Sequence, residues 1–141
     1  MAEIIYQHTA QYVNESNNPH IRWLCADDLD PFNSHLRNCD QCPLSDATWN
    51  KILEEGTIYC GLFIGNDMVA RACVEKYSDT KWEVADVRTV KRHRNRGFAF
   101  QISNFVLHYI LAHGKIATIR TEEDNWAMQK VISKLGFTPI I

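Results

Sequence analysis

The hexapeptide Arg94–Ala99 combines basic side chains with a glycine and lies where a predicted strand meets a predicted helix. The run before it, residues 84–90, is rich in β-branched residues, and the run from Phe98 onward repeats apolar residues at helical spacing. A turn of this kind directs unpaired backbone N–H groups and the positive end of the helix dipole at one point. Gly97 lets a ligand approach the backbone closely, and the neighbouring Arg and Lys side chains add positive charge. The hexapeptide therefore predicts a phosphate-binding turn.

A second informative segment is Asn125–Phe137, which follows after one more predicted strand. Asn125 begins a predicted helix with an apolar stripe, and K-L-G-F closes it with Gly136 at a left-handed C-terminal position. The order strand, R-x-x-G-x-A turn, long helix, strand, Asn-initiated helix and K-L-G-F resembles the GNAT superfamily of acyl-CoA N-acyltransferases. The resemblance covers residues 57–141 and, more loosely, residues 20–56.

The resemblance implies an α/β fold: a mixed, mostly antiparallel sheet with one parallel strand-helix-strand unit, flanked by helices. The residue pattern independently predicts a parallel pair, because a long helix separates the strands Trp82–Val90 and Ile116–Thr121. In the superfamily this pair splays apart, and the pantetheine arm of acetyl-CoA lies in the gap. The other predicted strands are 21–24, 57–64, 68–77 and one from 137, and the predicted helices are 2–13, 27–36, 45–53, 98–113 and 125–135.

Acetyl-CoA is the co-substrate that the resemblance implies. Its pyrophosphate would bind the N–H groups of Arg94–Ala99, and backbone groups of Val87 and Thr89 would pair with the arm. The Val87 N–H would donate to the thioester oxygen, and Asn125 would hold the arm from the other side, although a plain helix N-cap is an equal alternative for Asn125. The predicted cofactor-binding residues are Val87, Arg88, Thr89, Arg94, Asn95, Arg96, Gly97, Phe98, Ala99 and Asn125.

Transfer to an amine needs a base, because an alkylamine with a pKa near 10.4 is only about a thousandth neutral at pH 7.4. Glu83 is the first candidate, because a period of two places it on one strand face with Ala85, Val87 and Thr89. A Glu occupies a similar place in the histone-acetylating members of the superfamily. Asp86, predicted on the opposite face, is the second candidate. The alternative for Glu83 is a solvated strand residue.

The chain departs from the superfamily pattern at two places. Ile132 stands where many members carry the Tyr that reprotonates the leaving thiolate, so the sequence names no general acid. The sequence ends at Ile141, just inside the last predicted strand, where members usually continue with one more. We expect this strand to be covered by residues 1–19 or across a two-fold dimer, with the dimer slightly favoured. Residues 1–19 are interpreted as an N-terminal extension and residues 20–141 as a single domain.

Composition restricts the remaining possibilities. The chain has 141 residues, 45% hydrophobic content and a net charge of -2, which argues against general nucleic-acid affinity. It shows no apolar run of membrane-spanning length and no signal-peptide core, so a cytoplasmic location and no membrane partner are expected. Cys39 and Cys42 have ligand-like spacing, and zinc with Cys25 or His35 is an alternative, as is a redox pair. We expect reduced thiols and no metal, with Cys60 and Cys73 buried in strands.

The sequence leaves three classes of function open. The favoured one is an N-acetyltransferase that moves an acetyl group from acetyl-CoA to a primary amine in a ternary complex. The second is a catalytically weak CoA-binding sensor, which Ile132 permits. The third is a nucleic-acid or protein-interaction module that uses the basic run Lys91–Arg96. The acceptor amine is not identified; the acidic stretch Asp27–Asp46 suits either attraction of a cation or helix capping.

Overall fold

The computed structural model describes residues 2–140. The strands are β1 (Glu3–His8), β2 (Ile21–Trp23), β3 (Ile58–Ile64), β4 (Asp67–Glu75), β5 (Lys81–Thr89), β6 (Ile116–Glu122) and β7 (Phe137–Pro139). The helices are α1 (Leu29–Asn38), α2 (Asp46–Glu54), α3 (Phe98–Ala112) and α4 (Trp126–Lys134). All seven strands join one sheet in the order β2-β3-β4-β5-β6-β1-β7. The predicted α/β class, with a mostly antiparallel sheet and one parallel pair, is confirmed.

The helices lie on both faces of the sheet. Successive residues of β3 point to opposite faces: Cys60 and Leu62 join the apolar core under α3 and α4, whereas Tyr59 and Phe63 pack against the core of α1 and α2. None of the helices between residues 2 and 140 combines the length and the apolar character that crossing a membrane requires. On the α1 and α2 side, no helix of the described chain covers the half of the sheet beyond β4, which leaves that face open beside β5 and β6.

Side-chain caps begin two of the predicted helices, whereas Asp28 precedes α1 without a side-chain cap hydrogen bond. Ser45 Oγ accepts a hydrogen bond from the Thr48 N–H at 3.2 Å and begins α2. Asn125 Oδ1 accepts one from the Met128 N–H at 3.1 Å and begins α4. The N-cap interpretation of Asn125 is therefore correct.

The parallel pair β5 and β6 is joined for only part of its length. Its register runs from Lys81 opposite Ile116 to Val84 opposite Ile119, and there the pairing ends. Both strands continue, β5 to Thr89 and β6 to Glu122, without pairing with each other. The predicted parallel unit is confirmed, and the two strands separate toward their carboxyl ends.

The prediction of a helix over Ala2–Val13 is wrong, because β1 is a strand between β6 and β7. It pairs antiparallel with both, from Glu3 opposite Glu122 and as far as His8 opposite Phe137. As a strand, β1 forms backbone hydrogen bonds with β6 on one side and with β7 on the other. A helix on the surface would leave the backbone groups of β7 without these partners. Residues of the N-terminal segment thus cover one edge of the last strand. This was one of the two expected arrangements. The dimer stays a prediction.

The alternating burial of β1 generates a test of the strand. Tyr6 is 7% exposed within the core, whereas its neighbour Ile5 is 38% exposed. We expect Tyr6→Ala to lower the free energy of unfolding by about 3 kcal/mol, since a large buried side chain is lost. Ile5→Ala should lower it by less than about 1 kcal/mol. Urea denaturation measures both, and equal losses from the two substitutions would contradict the strand.

Candidate functional site

The predicted turn between β5 and α3 is present. Gly97 is the N-terminal cap residue of α3 with φ +80°, and Asn95 also has a positive φ of +66°. A Cβ added to Gly97 would meet only Gln101 Nε2, at 3.9 Å. The conformation, rather than crowding, therefore requires glycine here. The first N–H groups of a 15-residue helix follow directly, so the turn presents unpaired donors and the positive end of a helix dipole.

A cleft of about 560 Å³ lies between this turn, the end of β5 and the start of α4. Nine of the ten predicted cofactor-binding residues line it; only Arg96 does not, and its guanidinium lies 3.4 Å from the His93 ring instead. We call it the donor cleft. Sequence reasoning missed the following residues of its lining: His93, Phe100, Ala127, Met128, Lys130 and Val131. The α4 members could have been found from the helical spacing of Ala127, Met128 and Val131 after Asn125.

A second cavity, of about 1020 Å³, opens on the uncovered face of the sheet, and we call it the acceptor cavity. Its lining includes five carboxylates and two guanidinium groups, from Glu3, Glu75, Glu83, Asp86, Glu122, Arg88 and Arg120. The two cavities share the lining residues Val87, Arg88, Asn125 and Met128. They therefore meet where β5 and β6 separate.

Glu83 is buried, with 5% of its surface exposed, so the alternative of a solvated strand residue is wrong. Its carboxylate accepts hydrogen bonds from Arg120, with Nε 2.9 Å from Oε2 and Nη2 2.9 Å from Oε1. The Thr118 hydroxyl donates to Oε1 at 3.4 Å. This carboxylate raises the pKa of Arg120, chiefly through the hydrogen bond. No local pattern could have paired Glu83 with Arg120, because the contact crosses from β5 to β6.

A β-bulge interrupts β5 three residues after Glu83. Arg88 pairs with Arg71 and Ala85 with Cys73, so Asp86 and Val87 together face a single residue of β4. Asp86 has a φ of +51°, in the left-handed region.

The bulge changes which face the following side chains occupy. Val87 packs against the apolar core under α3, whereas Glu83 and Asp86 both line the acceptor cavity. The prediction that Glu83 shares a face with Val87 and Thr89, and that Asp86 points away from it, is therefore wrong. The extra residue shifts the alternation by one position, and a strict period of two cannot anticipate it.

Asp86 is held by Arg71, whose side chain is 3% exposed. Arg71 Nη2 lies 3.0 Å from Oδ1 and Nε lies 3.1 Å from Oδ2, and the Tyr59 hydroxyl donates to Oδ2 at 2.7 Å. The Arg71 Nη1 group donates to Gln41 Oε1 at 2.8 Å and to His35 Nε2 at 3.3 Å. Burial, above all, raises the pKa of Tyr59.

The contacts of His35 fix its tautomer. Because a guanidinium only donates, Nε2 accepts from Arg71 and the Nδ1–H donates to the Met68 carbonyl at 3.1 Å. Burial, followed by the charge of Arg71, lowers the pKa of His35 to about 4. The ring is 1% exposed, so it is a neutral buried part of the core.

The cysteines are free thiols. Cys60 and Cys73 are buried in strands, as predicted, and burial raises the pKa of Cys73 to about 12. Cys39 Sγ lies 3.7 Å from His35 Nε2 and is not bonded to Cys42. Across residues 2–140, no three His, Cys, Asp or Glu side chains are grouped as metal ligands would be.

The fold is that of solved GNAT-family acetyltransferases. The sequence profile of the FR47-like protein family matches residues 59–141, which is more than half of the chain. The chain belongs to this family and, with it, to the GNAT superfamily. No curated protein matches its sequence.

Solved structures with the same fold share little sequence with this chain. A GNAT-family acetyltransferase from Novosphingobium aromaticivorans is 20% identical with a TM-score of 0.77, covering 99% of this chain and 60% of its own. A GNAT-family acetyltransferase from Colwellia psychrerythraea is 17% identical with a TM-score of 0.79, and the alignment covers 97% of this chain and 52% of that protein. The ribosomal-protein-S18-alanine N-acetyltransferase from Escherichia coli is 16% identical with a TM-score of 0.70, covering 86% and 78%. The chain thus spans little more than half the length of the first two structures.

The buried neutral His35 predicts a loss of stability in acid. Its folded-state pKa of about 4 lies below the ordinary value of 6.5, so the unfolded chain binds the proton more readily. The stabilisation is complete above pH 6.5 and is lost as the pH falls from 6.5 to 4, by roughly 3 kcal/mol in total. We expect urea denaturation at pH 7, 5.5 and 4 to show this extra loss of unfolding free energy in the wild type and not in His35→Gln. The exposed His20 supplies the control, because His20→Gln should follow the wild type.

Proposed function

We propose that this protein is an N-acetyltransferase that transfers the acetyl group of acetyl-CoA to a primary amine by direct attack within a ternary complex. The observation that carries the proposal is the meeting of the donor cleft and the acceptor cavity at Val87, Arg88, Asn125 and Met128. A thioester reaching this junction from one side would face an amine arriving from the other. Direct transfer needs this arrangement, because no covalent acyl-enzyme intermediate separates the two reactants.

In this proposal the donor cleft holds the cofactor by its phosphates and its arm. The pyrophosphate binds the N–H groups at the start of α3, with Arg94 contributing charge and Gly97 allowing close approach. The pantetheine arm takes the place of a missing neighbour beside the unpaired end of β5. The Val87 N–H donates to the thioester oxygen and stabilises the oxyanion that develops there, an effect of roughly 3 kcal/mol in other enzymes. Asn125 lines both cavities while its Oδ1 caps α4.

The chemical step begins with a neutral amine in the acceptor cavity. Its nitrogen lone pair attacks the thioester carbon, the C–N bond forms, and the C–S bond breaks as coenzyme A leaves as a thiolate. The amine proton passes to a carboxylate base, directly or through water. Glu83 is the base in this proposal, since it lines the cavity and its buried charge is balanced by Arg120. Asp86 remains the second candidate, although its hydrogen bonds to Arg71 and Tyr59 hold its carboxylate in place.

The thiolate takes its proton from water in this scheme. Ile132, which stands where many relatives carry a Tyr, is fully buried in the core. The ring of Tyr109 packs against the rings of Trp23 and His113, at centroid distances of 4.8 and 4.2 Å. A thiol with an ordinary pKa near 8.5 is a good enough leaving group for transfer without a protein acid.

The direct test is a screen of amines, amino acids and peptides for release of free CoA thiol from acetyl-CoA. At least one class of amine should give turnover and an acetylated product detectable by mass spectrometry. Acetyl-CoA binding without turnover by any amine would favour the alternative of a CoA-binding sensor and overturn the catalytic proposal.

Gly97→Val should weaken acetyl-CoA binding at least tenfold in calorimetry, because the β-branched residue cannot keep the φ of +80° at the turn. Gly56→Val is the matched control. Gly56 also has a positive φ, has open space around its Cβ position, and lies outside the donor cleft. Equal affinity in folded Gly97→Val and wild-type protein would exclude the phosphate-binding role.

Glu83→Gln should keep acetyl-CoA affinity and lower kcat about a hundredfold, most at low pH where the amine is hardest to deprotonate. The glutamine also removes the nearer of the two carboxylates paired with Arg120 and leaves only Glu3, at 3.9 Å, so Arg120→Gln is the required control. It breaks the same pair but keeps the carboxylate. If the two variants lose kcat equally at every pH, the ion pair rather than the base accounts for the loss. Wild-type kcat in Glu83→Gln would move the base role to Asp86 or to water.

A further inference from the structure

We infer that Arg71 and Asp86 form a clamp that holds the β5 bulge and directs the Val87 N–H into the donor cleft. In this inference both act as positioning residues, and Glu83 rather than Asp86 is the base. The inference rests on the proposed function only in the role given to the Val87 N–H. The clamp itself is a statement about backbone conformation and has its own test.

The geometry of the pair is bidentate. Two guanidinium nitrogens of Arg71 meet the two carboxylate oxygens of Asp86 at 3.0 and 3.1 Å. Planar pairing of this kind fixes orientation as well as distance. The Tyr59 hydroxyl adds a third donor at 2.7 Å. Every hydrogen bond of this carboxylate among the described residues therefore comes from β3 or β4, on the side away from β6.

The backbone of Asp86 explains why such a clamp is needed. A φ of +51° is unfavourable for a residue with a Cβ, and it persists where the surroundings impose it. The extra residue of the bulge turns Val87 toward the core of α3, in the sense opposite to regular alternation. If Asp86 relaxed to an extended conformation, the peptide that carries the Val87 N–H would rotate with it. The carboxylate held by Arg71 prevents that relaxation.

Arg71 is itself fixed on its far side. Its Nη1 group donates to Gln41, which follows α1, and to His35 within α1. The side chain is 3% exposed, so it has no solvent-facing alternative position. The orientation of the bulge is thereby tied to α1, the helix that packs beside the acceptor cavity on the same face of the sheet.

Asp86→Ala, Asp86→Asn and Asp28→Asn form the test series. Alanine removes both the clamp and the tolerance of positive φ. Asparagine keeps that tolerance and one acceptor, so it should restore part of the function. Asp28→Asn is the matched control, because Asp28 also forms a bidentate pair, with Arg22 at 3.0 Å for both bonds, and this pair lies outside both cavities. Urea denaturation of each variant establishes that it is folded.

The first measurement is the ¹H–¹⁵N spectrum of unliganded protein. Asp86→Ala should move the Val87 amide signal far more than the Gly97 signal, and Asp28→Asn should move neither. An unchanged Val87 signal in Asp86→Ala would overturn the clamp, whatever the protein catalyses. This measurement needs no ligand, so it stands even if acetyl-CoA does not bind and the proposed function fails.

The second measurement separates positioning from binding. With acetyl-CoA and the best amine from the screen, Asp86→Ala should lower kcat at least tenfold and change the Kd for CoA less than twofold. Asp86→Asn should fall between Asp86→Ala and wild type, and Asp28→Asn should equal wild type. If a folded Asp86→Ala keeps wild-type kcat, or loses CoA affinity in proportion to kcat, the positioning role is wrong.

Discussion

The separation of β5 from β6 after Val84 and Ile119 is the constraint on which the rest of the structure depends. Up to that point the parallel pairing holds the two strands together. Beyond it, β5 stays paired with β4 on both sides of its bulge, and β6 stays paired with β1. The unpaired groups on the facing edges can be satisfied only by a ligand or by water. An extended molecule with amides along its length, such as a pantetheine arm, matches that need. The turn Arg94–Ala99, which we propose binds phosphate, borders the same opening.

Two buried or nearly buried charges are balanced across this region. Arg71 lies on β4 with its partner Asp86 on β5, and Glu83 lies on β5 with its partner Arg120 on β6. In each pair one member is almost inaccessible and the other is about 40% exposed at the cavity wall. A buried charge without its partner would carry a large desolvation cost, and the partner charge offsets that cost. Both pairs therefore tie neighbouring strands together beside the opening, where backbone hydrogen bonds are fewer.

The first strand gives the sheet its continuity at the other edge. β7 pairs with β1, and β1 pairs with β6, so the strand after K-L-G-F is joined to the rest of the sheet through residues 3–8. Tyr6 is buried there and Gly136 lies against Ala10, so closely that a Cβ added to the glycine would come within 2.5 Å of the Ala10 methyl group. The glycine that ends α4 is thus required by close contact with the N-terminal segment as well as by its conformation.

The sequence by itself determined the elements whose signals are local. The periodicity of Phe98–Ala112, the capping by Ser45 and Asn125 and the glycine turns are set by neighbours within a few residues. These local signals predicted α2, α3, α4 and the turn that precedes α3. The long helix between two β-rich runs was also enough to predict a parallel pair. Nine of the ten proposed cofactor-binding residues consequently line one cleft.

Tertiary structure alone decided the features that depend on distant partners. The segment Glu3–His8 is a strand because a place between β6 and β7 offers hydrogen bonds on both sides, and no local pattern encodes that place. At the bulge, the Asp86 carboxylate is bound by the buried Arg71, which lies 15 residues earlier in the chain. The burial of Glu83 depends on Arg120, 37 residues later. Contacts between residues far apart in the chain set strand pairing, faces and charge partners, so a period of two read from β5 alone assigned the wrong faces beyond Ala85.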